Sequence, residues 1–359
     1  MGTSGFWCAV SAGASRKIGA WRGHLTPVFC VLWRYHSAVK IFVDLALPPD
    51  ALALLREGLS GHELLLPRRP AASVLAKADP DPLLATADVA FGQPDPGMIA
   101  DAPHLKWIHI SSSGITRYDN PQFRRLMADR KIQVSNSAAV YCEACAVHVL
   151  SFMLAQARRL PAGLKSAAAG GTAEWLELRA GSSTLQGETV LILGYGTIGK
   201  RLTQLLQPFG LDVIAYRRHA RGDETVPVVT EARLAATLGR ADHVVNILPD
   251  SSQTRGFFSA DRLAQFKLGA VFYNIGRGTT VDQEALVQAL RNGPLKAAWL
   301  DVTEPEPLPD SHPLRHLPNC FITPHTAGGR ADEFAALVGH FLRNLQRFTR
   351  GEALADRVM

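Results

Sequence analysis

Residues 190–200 read Val-Leu-Ile-Leu-Gly-Tyr-Gly-Thr-Ile-Gly-Lys. Four apolar residues running straight into Gly-x-Gly-x-x-Gly leave few folds open. The apolar run reads as a buried strand, and the residues after the third glycine read as a helix. Gly194 permits the tight turn between them. Gly196 has no side chain to keep an anion from the backbone, and Gly199 lets helix and strand pack closely. The amides of Thr197 and Ile198 then point out of a helix N-terminus, whose dipole favours negative charge. Three glycines alone recur by chance. In strand–turn–helix context they point to the pyrophosphate of a dinucleotide.

Such a turn opens a doubly wound parallel sheet, so strands and helices should alternate after it. They do. Strands are expected at 188–194, 211–216, 242–248, 270–275, 297–302 and 320–323, with helices at 197–208, 231–239, 259–266 and 282–292. An earlier series precedes them, with strand-like runs at 39–45, 63–67, 73–77, 87–92, 105–111 and 132–136 and helices at 49–59 and 120–130. Between the two lies a long helical run, Tyr141 to Leu160, which opens after Asn136-Ser137 and is stopped by Pro161 and Gly163. Residues 166–185 are rich in Ala, Gly and Ser, Trp175 being the main exception, and read as a connection. A last helix is expected at about 331–349, returning to the first series. The expected fold is α/β, with two doubly wound parallel-sheet domains (Rossmann- and flavodoxin-like) facing across a cleft. Residues 39–137 with 326–359 would form a substrate-binding domain and 138–325 a dinucleotide-binding domain.

Charge and composition narrow the function. Of 359 residues 47% are hydrophobic and 19% charged, and the formal charge is +6. Arg16, Lys17, Arg22 and Arg34 all fall in residues 1–38, which hold no acid; without those four bases the charge is 6 − 4 = +2. The body thus carries no electrostatic footprint for nucleic acid. No unbroken run approaches the roughly 18 apolar residues of a membrane span, so neither nucleic acid nor membrane is an expected partner. The leader 1–38 reads best as a misassigned start, since a strand begins at Val39 and a GTG start codon decodes internally as valine. A transit peptide or a real arm are the alternatives. The expected compartment is the cytoplasm, or an organelle if 1–38 is a transit peptide. Cys142 and Cys145 form a Cys-x-x-Cys within a helical pattern, with no second pair to complete a zinc site; no metal is expected.

The strand 211–216 ends in Arg217-Arg218-His219. A carboxylate there would accept the ribose hydroxyls of NAD, whereas arginine suits a 2′-phosphate. NADP is therefore favoured, with NAD as the alternative. Leu248, Pro249 and Ile275, at later strand ends, are further candidates for dinucleotide contact.

Ligands of such sheets bind at the carboxyl ends of the strands. Three successive ends carry Tyr273-Asn-Ile-Gly-Arg277-Gly, Trp299-Leu-Asp301-Val-Thr-Glu-Pro-Glu306-Pro and Phe321-Ile-Thr-Pro-His325. Reducing a carbonyl requires a proton at its oxygen, and histidine supplies one near neutrality. A carboxylate beside it fixes the ring and favours its protonated form. An arginine binds a substrate carboxylate and polarises the carbonyl. His325, Glu306 and Arg277 fit those roles, and Asp301 stands where it could hold the nicotinamide amide.

Gly-x-Gly-x-x-Gly, Asn-x-x-Arg-Gly, Leu-Asp-Val-x-x-x-Glu-Pro and Thr-Pro-His, in this order, resemble the D-isomer-specific 2-hydroxyacid dehydrogenases over about residues 39–359. The resemblance implies reduction of a small 2-oxo acid to its D-2-hydroxy acid, with Arg277, Glu306 and His325 as catalytic triad. It implies a substrate loop at Ser111–Gly114, in which the amides of Ser112, Ser113 and Gly114 would bind. It also implies a homodimer, with the 141–160 helix and the segment after it as the candidate contact. Arg217 in place of an acid resembles the NADP-preferring glyoxylate and hydroxypyruvate reductases of this family. Two rivals share the pattern. A formate dehydrogenase carries an amide where Glu306 stands, and formate oxidation needs no substrate proton. A nucleotide-sensing co-repressor would keep the site without turnover.

Overall fold

The structure, a computed structural model, describes residues 38–73, 76, 79–169 and 172–359. The leader, apart from Ala38, and most of the strand expected at 73–77 lie outside the described residues.

Strands β1 (Lys40–Val43), β2 (Glu63–Leu65), β3 (Val89–Gly92), β4 (Trp107–Ile110) and β5 (Gln133–Ser135) form one parallel sheet in the order β2-β1-β3-β4-β5. Strands β6 (Thr189–Leu193), β7 (Asp212–Tyr216), β8 (Val228–Val229), β9 (His243–Asn246), β10 (Ala270–Asn274), β11 (Leu295–Leu300) and β12 (Cys320–Ile322) form a second, in the order β12-β11-β10-β9-β6-β7-β8. The first is the flavodoxin-like order and the second the Rossmann order. Val190, Leu191, Ile192 and Leu193 of β6 are fully buried, as a strand covered by helices on both faces must be. β8 is an edge strand of two residues, too short to register in the apolar pattern.

Eleven helices among the described residues connect and cover these sheets: α1 (Pro49–Gly58), α2 (Pro96–Ile99), α3 (Pro121–Arg130), α4 (Ala138–Ala157), α5 (Leu160–Ala169), α6 (Thr172–Ala180), α7 (Thr197–Leu206), α8 (Glu231–Leu238), α9 (Ala260–Leu263), α10 (Gln283–Arg291) and α11 (Glu333–Thr349). Two of them correct the sequence reading. Residues 166–185 are not simply a connection, because α5 and α6 occupy most of 160–180. Pro161 and Gly163 do not end a helix; Pro161 sits in the first turn of α5, where proline's missing N–H costs nothing. The break falls at Arg159, in the left-handed region at φ +52°.

α4 needs a second correction. By length and composition it is apolar enough to cross a membrane, which counting unbroken apolar runs misses because Glu143 and His148 interrupt it. Its contacts are those of a core helix. Val140, Ala146, Val149, Phe152 and Met153 are buried, and Glu143 pairs with Arg201 of α7 at 2.5 Å.

α11 packs on the first sheet. Phe341 stacks on Phe91 with ring centroids 4.5 Å apart and on Trp107 at 5.3 Å. Burying a ring of this size contributes about 1.5–3 kcal/mol. The chain end then lies along β5: Val358 N donates to Val134 O at 2.8 Å, and Val134 N to Met359 O at 3.1 Å. The carboxyl ends of both sheets meet one cleft of about 280 Å³.

Candidate active site

The glycine turn has the backbone its sequence demands. Gly194 sits at φ +100°, and a Cβ there would lie 2.7 Å from Ile247 O. A Cβ on Gly199 would lie 2.7 Å from Gly194 O, where strand and helix are closest. Among the described residues nothing lies within 4 Å of a Cβ at Gly196, and no side chain caps the N-terminus of α7. The first-turn amides, Thr197 and Ile198 among them, thus face a space open to an anion, and the turn fits a pyrophosphate. Gly196, Thr197 and Arg217 line a pocket beside the turn. Ile198, Leu248, Pro249 and Ile275 line the main cleft. Arg218 is exposed and lines neither.

Ser112, Ser113, Gly114, Arg277, Asp301 and His325 line the same cleft. Glu306 is joined to them through His325, whose Nδ1 lies 2.8 Å from Glu306 Oε2. Burial pushes the Glu306 carboxyl up. The hydrogen bond and charge of His325, the Thr303 amide and Arg277 outweigh it and hold the carboxyl below its ordinary value. Glu306 is therefore an anion at neutral pH, and an anionic acceptor at Nδ1 leaves Nε2 as the free ring nitrogen.

His325 stands at φ +53°, a conformation that costs a non-glycine residue on the order of 1–3 kcal/mol. Asp301 holds it there. His325 N donates to Asp301 O at 2.9 Å. The Asp301 carboxylate accepts from Thr326 N at 2.8 Å, Ala327 N at 2.8 Å and Thr323 Oγ1 at 2.6 Å. Sequence reasoning offered Asp301 to the nicotinamide amide, but here its Oδ1 is filled by the loop that carries His325. Arg217 is likewise engaged: its guanidinium donates to Tyr195 O and pairs with Asp223 and Glu224.

Arg277 follows β10 and reaches across the cleft. A Cβ on Gly114 would collide with its guanidinium, so only glycine allows Arg277 to lie against the Ser112–Gly114 loop. That loop hangs from residues the sequence did not offer to the site. Gln93 Nε2 donates to Ser111 Oγ at 3.2 Å and Ser112 Oγ at 2.9 Å. Asn136 Nδ2 donates to Ser113 O at 2.6 Å. Tyr141 donates to Ser111 O at 3.0 Å, tying α4 to the same loop. Only the position of Tyr141, at the opening of a helix after Asn136-Ser137, hinted at this.

Gln93 N in turn donates to Asp44 Oδ1 at 2.8 Å, while Asp44 Oδ2 has no hydrogen-bond partner among the described residues. Burial raises the Asp44 carboxyl from 3.8 to about 7. The folded chain thus keeps a proton that the unfolded chain releases near pH 4. Its stabilising effect is full below that pH and is lost as pH rises through about 7. Asp44→Asn should therefore stabilise the protein by roughly 2–4 kcal/mol at pH 8 and clearly less at pH 5. Urea unfolding at the two pH values reads the difference; equal effects would mean that Asp44 is not protonated in the fold.

The sequence profile of the D-isomer specific 2-hydroxyacid dehydrogenase NAD binding domain matches residues 150–327. A glyoxylate reductase/hydroxypyruvate reductase of Homo sapiens is 36% identical over 266 residues, which are 72% of this chain and 78% of the relative. The chain belongs to the D-isomer specific 2-hydroxyacid dehydrogenase family. A glyoxylate/hydroxypyruvate reductase B of Salmonella typhi is 34% identical over 294 residues, 80% of this chain and 87% of the relative. Among solved structures, an NADPH-dependent glyoxylate/hydroxypyruvate reductase of Sinorhizobium meliloti, in complex with NADP and malonate, superposes with a TM-score of 0.68 at 26% identity. It covers 90% of this chain and 97% of that one. As a member of the family, the chain is an NAD(P)-dependent oxidoreductase acting between 2-hydroxy acids and 2-oxo acids.

Proposed function

We propose that this enzyme reduces a small 2-oxo acid of the glyoxylate or hydroxypyruvate kind to its D-2-hydroxy acid, with NADPH favoured over NADH. The observation that carries the reading is the His325–Glu306 hydrogen bond of 2.8 Å in a cleft shared with Arg277 and the glycine turn.

The reduced nicotinamide, when bound, supplies hydride to the carbonyl carbon. The substrate carboxylate is held by the Arg277 guanidinium and the amides of Ser112, Ser113 and Gly114. Arg277 also draws charge toward the carbonyl oxygen as it becomes an alkoxide. His325 gives its Nε2 proton to that oxygen, and Glu306 keeps the ring oriented and stabilises its charged form. Asp301 acts on the backbone that presents His325. Support for NADPH comes from Arg217, which follows β7 and lines the pocket beside the glycine turn, and from the NADP bound by the Sinorhizobium relative.

A spectrophotometric assay of NADPH and NADH oxidation with glyoxylate, hydroxypyruvate and a panel of bulkier 2-oxo acids tests the reading. Turnover of the two small acids, faster with NADPH, is expected. Silence from folded, nucleotide-binding protein would favour a sensor instead.

A second copy of the chain is the proposed partner. Leu160, Leu164, Trp175 and Leu176 on α5 and α6 are half or more exposed, an apolar surface that a homodimer would cover. Sedimentation equilibrium of the full chain decides it, a monomer at micromolar concentration being the contrary result.

A further inference from the structure

The pocket beside the glycine turn, about 410 Å³, is lined by Lys200, Arg201, Arg217 and Arg221. Asp223 is the one carboxylate among the described residues that line it. Arg217 is fixed from both sides. Its Nε donates to Tyr195 O at 3.0 Å, and its Nη1 lies 2.8 Å from Asp223 Oδ1 and 2.7 Å from Glu224 Oε1. The other oxygen of Asp223 lies 2.6 Å from Lys200 Nζ.

The two acids are held differently. Glu224 is 6% exposed, and its oxygens also accept from Arg221 N and Gly222 N, both at 2.9 Å. It closes the turn that Gly222 makes at φ +77°, so it is part of the loop's construction. Asp223 is 48% exposed, and its hydrogen bonds run to the two cationic side chains. Among the described residues no backbone group hydrogen-bonds to it, so it can leave.

We propose that Asp223 is an internal stand-in for the ribose 2′-phosphate. Its carboxylate bridges Arg217 and Lys200, a pair of charges that a phosphate would take up more strongly with its higher charge and three acceptor oxygens. A 2′-phosphorylated nucleotide must displace Asp223, and a nucleotide without that phosphate need not. Asp223 therefore sets how far the enzyme prefers NADP over NAD, and the inference rests on the reading of Arg217 as the phosphate-facing residue.

Calorimetric titration of the full chain with adenosine 2′,5′-bisphosphate and with 5′-AMP tests this without turnover. Asp223→Asn should tighten the bisphosphate by about 1.5- to fivefold, the range expected when an exposed competing ion pair is removed, and leave 5′-AMP unchanged. Glu224→Gln should give no such selective gain. A wild-type preference for the bisphosphate that Asp223→Asn leaves unaltered overturns the inference alone. No preference in the wild type but one in Asp223→Asn supports the inference and overturns the NADP reading. No preference in either protein overturns both. Equal loss of both nucleotides in Asp223→Asn would make Asp223 a structural residue and also overturn the inference.

Discussion

His325→Ala should lower kcat/KM for glyoxylate by about 10²- to 10⁴-fold, the contribution expected of a positioned general acid. Glu306 holds the ring with its carboxylate 2.8 Å from Nδ1, the placement that the proposed proton transfer requires. Backbone strain complicates the test, since His325 stands at φ +53°. His325→Asn is the better-behaved companion, because asparagine tolerates that region more readily than alanine. Both variants should bind nucleotide as the wild type does. Glu306→Gln should retain the ring's orientation but not its charge stabilisation, leaving a smaller loss. Activity within tenfold of wild type in both His325 variants would remove His325 from the proton transfer.

Arg277→Ala should lower kcat/KM by roughly 2–4 kcal/mol of transition-state stabilisation, about 30- to 1000-fold. The guanidinium lies against the Ser112–Gly114 loop across the cleft from the glycine turn, so the loss belongs to the oxo acid rather than to the dinucleotide. Steady-state kinetics should show a higher KM together with a lower kcat, because in the proposed mechanism one side chain serves both the carboxylate and the developing alkoxide. Arg277→Lys should recover only part of the activity, since an ammonium cannot present the planar fork that pairs bidentately with a carboxylate. A variant that loses nucleotide affinity and keeps its KM for the acid would assign Arg277 to the cofactor.

Asp301 and Arg217 show why some sites were only half legible. Each stands at a strand end, where the sequence offers it to a ligand. Each also has protein partners, some near in sequence and some more than twenty residues away, that the strand-end pattern does not reveal. Thr326 and Ala327 occupy the Asp301 carboxylate, and Tyr195, Asp223 and Glu224 surround Arg217. Gln93 was invisible because it is an isolated glutamine in no motif. It matters only because β3 and β4 are neighbours, which places it beside Ser111 and Ser112.

What the sequence alone determined is whatever depends on local backbone geometry or on a short period. The turn at Gly194–Gly199 follows from positions where a Cβ would strike backbone. The order of strands and helices follows from runs of apolar residues and the breaks between them. α5 escaped because a proline that ends one helix and a proline that begins the next look alike in one dimension, and α6 because it lies in 166–185, whose many Ala, Gly and Ser residues read as a connection. The tertiary structure decided which strand ends face each other. It brought His325 to Glu306, Arg277 to Gly114 and Asp223 to Lys200. Such pairings depend on sheet order and on the packing of α4 and α11 between two sheets, and a charged side chain takes whichever partner that packing leaves within about 3 Å.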